Sequence, residues 1–138
     1  MSLTEAVREE PFVKHLVEEI FESYKEGSEV YVAEIDGKEA AILTIQYMEW
    51  NKTLLIHDLY VDAAYSKQGL GSRLIERAKE RAHELGARAL TLETQTSNYP
   101  AIQFYLKNGF ELIGFNTMSY TNTDVQNKEV RIEMGFLI

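Results

Sequence analysis

The sequence predicts an α/β (α+β) protein with a mixed, mostly antiparallel central sheet and flanking helices. Three observations carry this. Short runs of β-branched, aromatic and other apolar residues follow one another in the first half of the chain, separated by Asp36-Gly37 and Trp50-Asn51-Lys52. The run Thr53 to Val61 leads through Gly69 and Gly71 into a helical pattern. A later strand, Ala89 to Glu93, then follows that helix, so a right-handed crossover sets it parallel to Thr53–Val61.

Each element has its own signal. The chain opens with a short charged piece, Thr4 to Glu10, stopped by Pro11. Phe12, Val13, Leu16, Val17, Ile20, Phe21 and Tyr24 give an amphipathic helix with Glu18, Glu19 and Glu22 outward, ending near Gly27. No strand is expected before it. Val30 to Ile35 is a strand. Asp36-Gly37 is a hairpin turn, since both residues tolerate positive φ, and Glu39 to Met48 returns. From Leu70 the apolar positions Leu70, Leu74, Ile75, Ala78, Ala82 and Leu85 make one stripe on a charged helix that Gly86 caps. Asn98 or Tyr99 caps the next helix, Pro100 lies in its first turn, and Gly109 ends it after Asn108. Phe110 to Tyr120 and Val130 to Leu137 are two long strands joined by the polar loop Thr121–Lys128.

Length and composition bound the function. With 138 residues and neither repeat nor linker, one domain spanning 1–138 is expected. No apolar run approaches the roughly 18 residues of a membrane span, and the N-terminus lacks the basic and apolar regions of a secretory signal. There is no cysteine, hence no disulfide framework and no thiolate nucleophile, which fits a cytoplasmic location. A net charge of −8 argues against nucleic acid as partner and favours cationic small molecules, although acidity also simply keeps a protein soluble. No His, Cys or Asp cluster has metal-ligand spacing, so no metal is expected.

The stretch after Val61 is where chemistry concentrates. A helix N-terminus carries unpaired N–H groups and about half a positive charge, so strand, glycine turn and helix together make an anion site suited to phosphate. From Ala63 to Leu74 the chain has Lys67 and Arg73 and no carboxylate. The spacing is not G-x-G-x-x-G, because Leu74 stands where a third glycine belongs, and it is not a Walker A loop. The simpler reading is that Gly69 and Gly71 only cap a helix.

Two blocks resemble the GNAT superfamily of N-acetyltransferases, from Phe12 onward. Ser66-Lys67-Gln68-Gly69-Leu70-Gly71 is similar to the signature Arg/Gln-x-x-Gly-x-Gly/Ala, with Ser66 where the family has Arg or Gln. Asn98-Tyr99-Pro100-Ala101-Ile102-Gln103-Phe104-Tyr105-Leu106-Lys107-Asn108-Gly109-Phe110 is similar to Asn-x-x-Ala-x-x-Phe-Tyr-x-x-x-Gly-Phe. Leu92-Glu93-Thr94-Gln95 and the segment Gly114-Phe115 through Ser119-Tyr120 look similar to streptothricin acetyltransferases. The family's first strand is missing from this pattern.

The resemblance implies a GNAT-type acetyl-CoA-binding fold and acetyl-CoA as donor. Backbone N–H groups of Lys67, Gln68, Gly69, Leu70, Gly71 and Ser72 would hold the pyrophosphate. Leu59 and Val61 would offer main-chain hydrogen bonds to the pantetheine arm, with Asn98 and Lys107 as further contacts. Tyr105 stands where the family's general acid stands and would protonate the departing thiolate. An acceptor ammonium, with a pKa of about 10.4, must lose a proton before attack. Asp58 and Glu93 are the candidate carboxylates, one as base and one attracting the cation. Each has a structural reading too: Tyr105 shares a helical face with Ile102 and Ala101, and Asp58 and Glu93 could sit in structural ion pairs. His57 alternates with the core face and reads as structural. Tyr31, Tyr47, Trp50 and Tyr60 could line an acceptor pocket or simply pack. The expected acceptor is a small cationic amine, streptothricin-like as first guess. A protein Nα or lysine amine and a non-catalytic acyl-CoA-sensing role are the alternatives. Homodimers occur in the superfamily, and the long C-terminal strands could pair across an interface.

Overall fold

A computed structural model describes residues 2–4 and 27–138. The helix expected over Phe12–Tyr24, with Glu18, Glu19 and Glu22, and the charged residues before it lie outside the described residues. The elements are β1 (Ser2–Thr4), β2 (Ser28–Ile35), β3 (Lys38–Met48), β4 (Thr53–Val61), α1 (Leu70–Leu85), β5 (Ala89–Gln95), α2 (Tyr99–Lys107), β6 (Glu111–Asn116) and β7 (Arg131–Leu137), with a 3₁₀ turn at Ala63–Tyr65. They form one seven-stranded sheet in the order β1-β2-β3-β4-β5-β7-β6. Among the described residues only β4 and β5 pair in parallel and the other pairs are antiparallel, so the sheet is mixed and mostly antiparallel as expected.

Two expectations are corrected. β1 precedes the region of the expected first helix and pairs with β2, Ser2 opposite Glu34 and Thr4 opposite Val32. Three residues show no readable alternation, and an edge partner supplies the pairing. The strand expected over Phe110–Tyr120 stops at Asn116. Side chains take over the backbone donors beyond it: Met118 N donates to Asn116 Oδ1, and Tyr120 N and Thr121 N donate to Asp124. The Asp36-Gly37 turn has positive φ at both residues, 51° and 78°, as the hairpin requires.

The core lies between one sheet face and α1. Tyr31, Leu43, Ile45, Leu54, Ile56, Leu90 and Leu92 meet Leu70, Leu74, Ile75, Ala78 and Ala82 there. This is the stripe read from the sequence. Arg81 adds a two-pronged bond to Glu29 on β2 (2.8 and 3.0 Å), which holds the Glu29 carboxyl below its ordinary range. The Arg77 guanidinium lies 5.0 Å over the Tyr31 ring. Among the described residues no helix is long and apolar enough to cross a membrane.

The sheet breaks its regularity at β4. Thr44 pairs with Asp58 and Ile45 with Ile56, so His57 is an extra, bulged residue. The parallel pairing of β4 with β5 covers only Thr53 to Leu55. From Ile56 to Val61, β4 runs on without β5 beside it. Leu74 is fully buried under the sheet, so Leu74→Ala should lower unfolding free energy by about 2–5 kcal/mol. The effect is read as a lower urea midpoint at unchanged slope.

Candidate active site

The gap left by β4 opens into a cleft of about 570 Å³. Leu59 and Val61 form one wall, residues of the turn Ser66–Ser72 the second, and one face of α2 from Pro100 to Lys107 the third. Gly69 is the N-cap of α1, at φ 73°, and provides no side-chain cap. No acidic residue stands in the first turn. The first bond into the helix is Arg73 N to Gly69 O at 3.1 Å, so the amides before it find no acceptor within the helix. By contrast, Asn98 Oδ1 caps α2 through Ala101 N (3.3 Å), and Asp62 Oδ1 caps the 3₁₀ turn through Ala64 N (2.9 Å). An uncapped helix start facing a cleft, flanked by exposed Lys67 and Lys107, fits an anionic ligand.

Most of the residues expected at a donor site line this cleft: Leu59, Val61, Lys67, Gly69, Leu70, Gly71, Ser72, Tyr105 and Lys107. Gln68 belongs to the same turn without lining it, and Asn98 caps α2 instead. The two glycines also differ in role. Gly69 needs its positive φ, whereas Gly71 is absent from the positive-φ residues. A Cβ on Gly71 would come within 3.0 Å of the Phe104 ring, so its bareness lets α1 and α2 approach. The sequence reading missed Ser66, Pro100, Ala101 and Phe104 as lining residues. Positions 100, 101, 104 and 105 share one helical face, a signal that the spacing already contained.

Tyr105 is held edge-on between Phe104 and Phe110, with ring centroids 5.3 and 5.5 Å away. Burial, then the nearby Asp58 charge, pushes its hydroxyl up to about 12. The hydroxyl therefore keeps its proton at neutral pH and remains a donor. Asp58 is half-buried and accepts from Thr44 Oγ1 at 2.9 Å; burial pushes its carboxyl above the ordinary range. His57 Nε2 lies 2.9 Å from Gln46 Oε1, and burial pushes the ring's pKa down, against the Glu93 charge.

Glu93 lies elsewhere. Its carboxylate pairs with Arg131 Nε at 3.1 Å, and Arg131 also reaches Glu133 at 3.4 Å. It lines a second, open groove of about 620 Å³, bounded by Trp50, Leu55, Glu111, Ile113 and Leu137. The strand register sets Asp58 and Glu93 on the sheet face opposite α1. The cleft and Tyr105 lie on the α1 side. β4 and β5 stop pairing after Leu55 and Thr91, and the Asp58 charge acts on Tyr105 from the other side. Of the aromatic set, Tyr31 is core, Tyr47 packs against it, Tyr60 is exposed, and Trp50 borders the groove at 82% exposure.

Residues 2–110 match the acetyltransferase (GNAT) family model. The chain belongs to that family. It is 35% identical over 88 residues to a streptothricin acetyltransferase of Streptomyces lavendulae, covering 64% of this chain and 47% of that one. It is 34% identical over 89 residues to the [ribosomal protein bS18]-alanine N-acetyltransferase of Escherichia coli (strain K12), covering 64% and 59%. A Bacillus anthracis chain described as a streptothricin acetyltransferase, solved with acetyl coenzyme A, superposes at a TM-score of 0.76 with 31% identity, over 84% of this chain and 65% of that one. This member of the GNAT family thus spans between about half and two thirds of these relatives' lengths. The fold agrees with the family.

Two substitutions separate stability from binding here. Ser72→Asp puts a carboxylate in the first turn of α1, where it should stabilise the helix by about 0.3–1 kcal/mol. The same charge should weaken coenzyme A binding roughly tenfold, about 1.4 kcal/mol, by titration calorimetry. Asp58→Asn removes a carboxylate whose ionised form burial disfavours, so it should raise the melting temperature at neutral pH. Because the folded pKa is raised, wild-type Asp58 takes up its proton as pH falls through that value, and the difference between the two proteins should shrink there.

Proposed function

We propose that this chain is one acetyltransferase domain, spanning 1–138, that moves an acetyl group from acetyl-CoA to a primary amine of a small cationic acceptor. The observation that carries this is the uncapped, acid-free start of α1 opening into the gap between β4 and β5. Acetyl-CoA, when bound, supplies an acetyl thioester activated toward amines. The amides of Lys67, Gly69, Leu70, Gly71 and Ser72 would bind the pyrophosphate, while the expected Gln68 N–H instead donates to Tyr65 O at 3.2 Å; Lys107 adds positive charge at the rim. The main chain of Leu59 and Val61, freed from β5, bonds the pantetheine arm. An N–H near Leu59 polarises the thioester carbonyl.

On the far face, Asp58 accepts the ammonium proton directly or through water, and Glu93 attracts the cation. Tyr105 donates its proton to the leaving thiolate. The direct-attack route uses no covalent enzyme intermediate, consistent with a chain that has no cysteine. A streptothricin-like antibiotic is the first acceptor proposed, supported by the relatives that carry that activity in their names.

A second reading, acetylation of a protein Nα or lysine amine, is favoured by the open groove beside Glu93, which suits an extended chain end. Release of free thiol from acetyl-CoA, measured against streptothricin, aminoglycosides, polyamines, amino acids and N-terminal peptides, tests both. Turnover on a cationic small molecule, with Tyr105→Phe lowering kcat by about 10²-fold or more at unchanged donor affinity, is the expected result. Turnover confined to peptides favours the second reading. Donor binding without any turnover would leave a sensing role.

A further inference from the structure

The groove beside Glu93 holds a guanidinium between two carboxylates. Glu93 on β5 stands directly opposite Glu133 on β7. Like charges opposite each other on neighbouring strands repel. Arg131 lies two residues before Glu133, so it shares the same face of β7. It answers both carboxylates: Nε lies 3.1 Å from Glu93 Oε2, and Nη2 lies 3.4 Å from Glu133 Oε1. The hold is loose. The Nε atom is buried yet makes no hydrogen bond, because the Glu93 oxygen lies off its N–H direction. Arg81 and Glu29, by contrast, meet in two aligned bonds of 2.8 and 3.0 Å. The Glu93 and Glu133 side chains are also 52% and 50% exposed. An ion pair this open to water and this poorly aligned is readily exchanged for another. Glu111 adds a third carboxylate to the groove. Among the described lining residues the other cation is Arg88, whose Nε is committed to Asn51 O at 2.7 Å.

We propose that Arg131 is a specificity-determining residue: in the empty protein its guanidinium fills, between Glu93 and Glu133, the place that a second cationic group of the acceptor takes. This rests on the acceptor role proposed above for the groove. An acceptor with a single ammonium engages Asp58 and leaves the Arg131 contacts as they are. An acceptor that carries an ammonium or guanidinium beyond the reacting amine takes over the two carboxylates, and Arg131 turns out to water. Its long, flexible stem lets the charged head move while the strand stays paired. Arg131 therefore screens Glu93 from single charges and competes with the second charge of a dication. The row Glu93–Arg131–Glu133 is set by strand register and not by neighbours in the sequence.

Titration calorimetry on the whole chain tests this with two probes of equal carbon-chain length, pentane-1,5-diamine as dication and pentylamine as monocation. Arg131→Gln should bind the diamine about tenfold tighter than wild type, because a competing unit charge a few ångströms away is gone. Pentylamine affinity should change by about twofold or less, since it meets Asp58 and not the Arg131 row. Adding Glu133→Gln to Arg131→Gln should reverse the gain for the diamine. Arg131→Lys keeps the charge and should bind both probes as wild type does, which separates loss of charge from damage to the sheet. Equal diamine affinity in Arg131→Gln and wild type, an equal gain for pentylamine, or a gain that Glu133→Gln leaves intact would each overturn the proposal. These readings need no turnover. If they come out as expected while no amine is acetylated, the acetyl-transfer reading fails and the role of Arg131 stands.

Discussion

The divergence of β4 from β5 is the constraint on which the site depends. Parallel pairing ends at Leu55 opposite Thr91, yet β4 continues to Val61. Backbone N–H and C=O groups that lose a neighbouring strand in a packed interior must find another partner. A ligand with an amide-bearing arm supplies such partners, and the bulge at His57 bends β4 at the place where the split begins. Where the two strands have separated, the Asp58 charge on one face is felt by Tyr105 on the other.

Helix α1 is packed on the sheet along its length while its first turn is left uncapped. Its buried stripe and the Arg81–Glu29 pair fasten the middle and far end to the sheet. Its start is left with Gly69, although a side-chain cap is worth about 1 kcal/mol. The helix is thus anchored by packing well away from the end that faces the cleft. Helix α2 takes the ordinary solution with Asn98. Gly71 then lets Phe104 lie against α1, which brings Tyr105 to the cleft wall.

Asp58 and Glu93 share a sheet face but not an environment. Asp58 is half-buried, bonded by Thr44, and feels Tyr105 across the gap. Glu93 is exposed and paired with Arg131, opposite the like charge of Glu133. Burial makes the Asp58 carboxyl hold its proton more readily than a carboxyl in water, and the proton-keeping Tyr105 stands on the opposite side of the sheet.

Much of this was encoded locally. The stripe Leu70, Leu74, Ile75, Ala78 and Ala82, the Asp36-Gly37 turn, the Asn98 cap and the Gly69 turn are each settled within about a dozen residues. Helical period, positive φ and end-capping act over that range. The two family-like blocks are of the same kind, which is why most of the residues that line the cleft stand together in the sequence. Tertiary structure alone decided the rest. The three-residue strand β1, the bulge at His57, the early end of β4–β5 pairing and the Glu93–Arg131 pair all depend on register between distant segments. Register is set by which apolar faces must meet, and a one-residue shift reverses every side chain. The sequence thus specified the elements and the chemistry of the helix start; packing decided that Asp58 would stand near Tyr105 and that Glu93 would not.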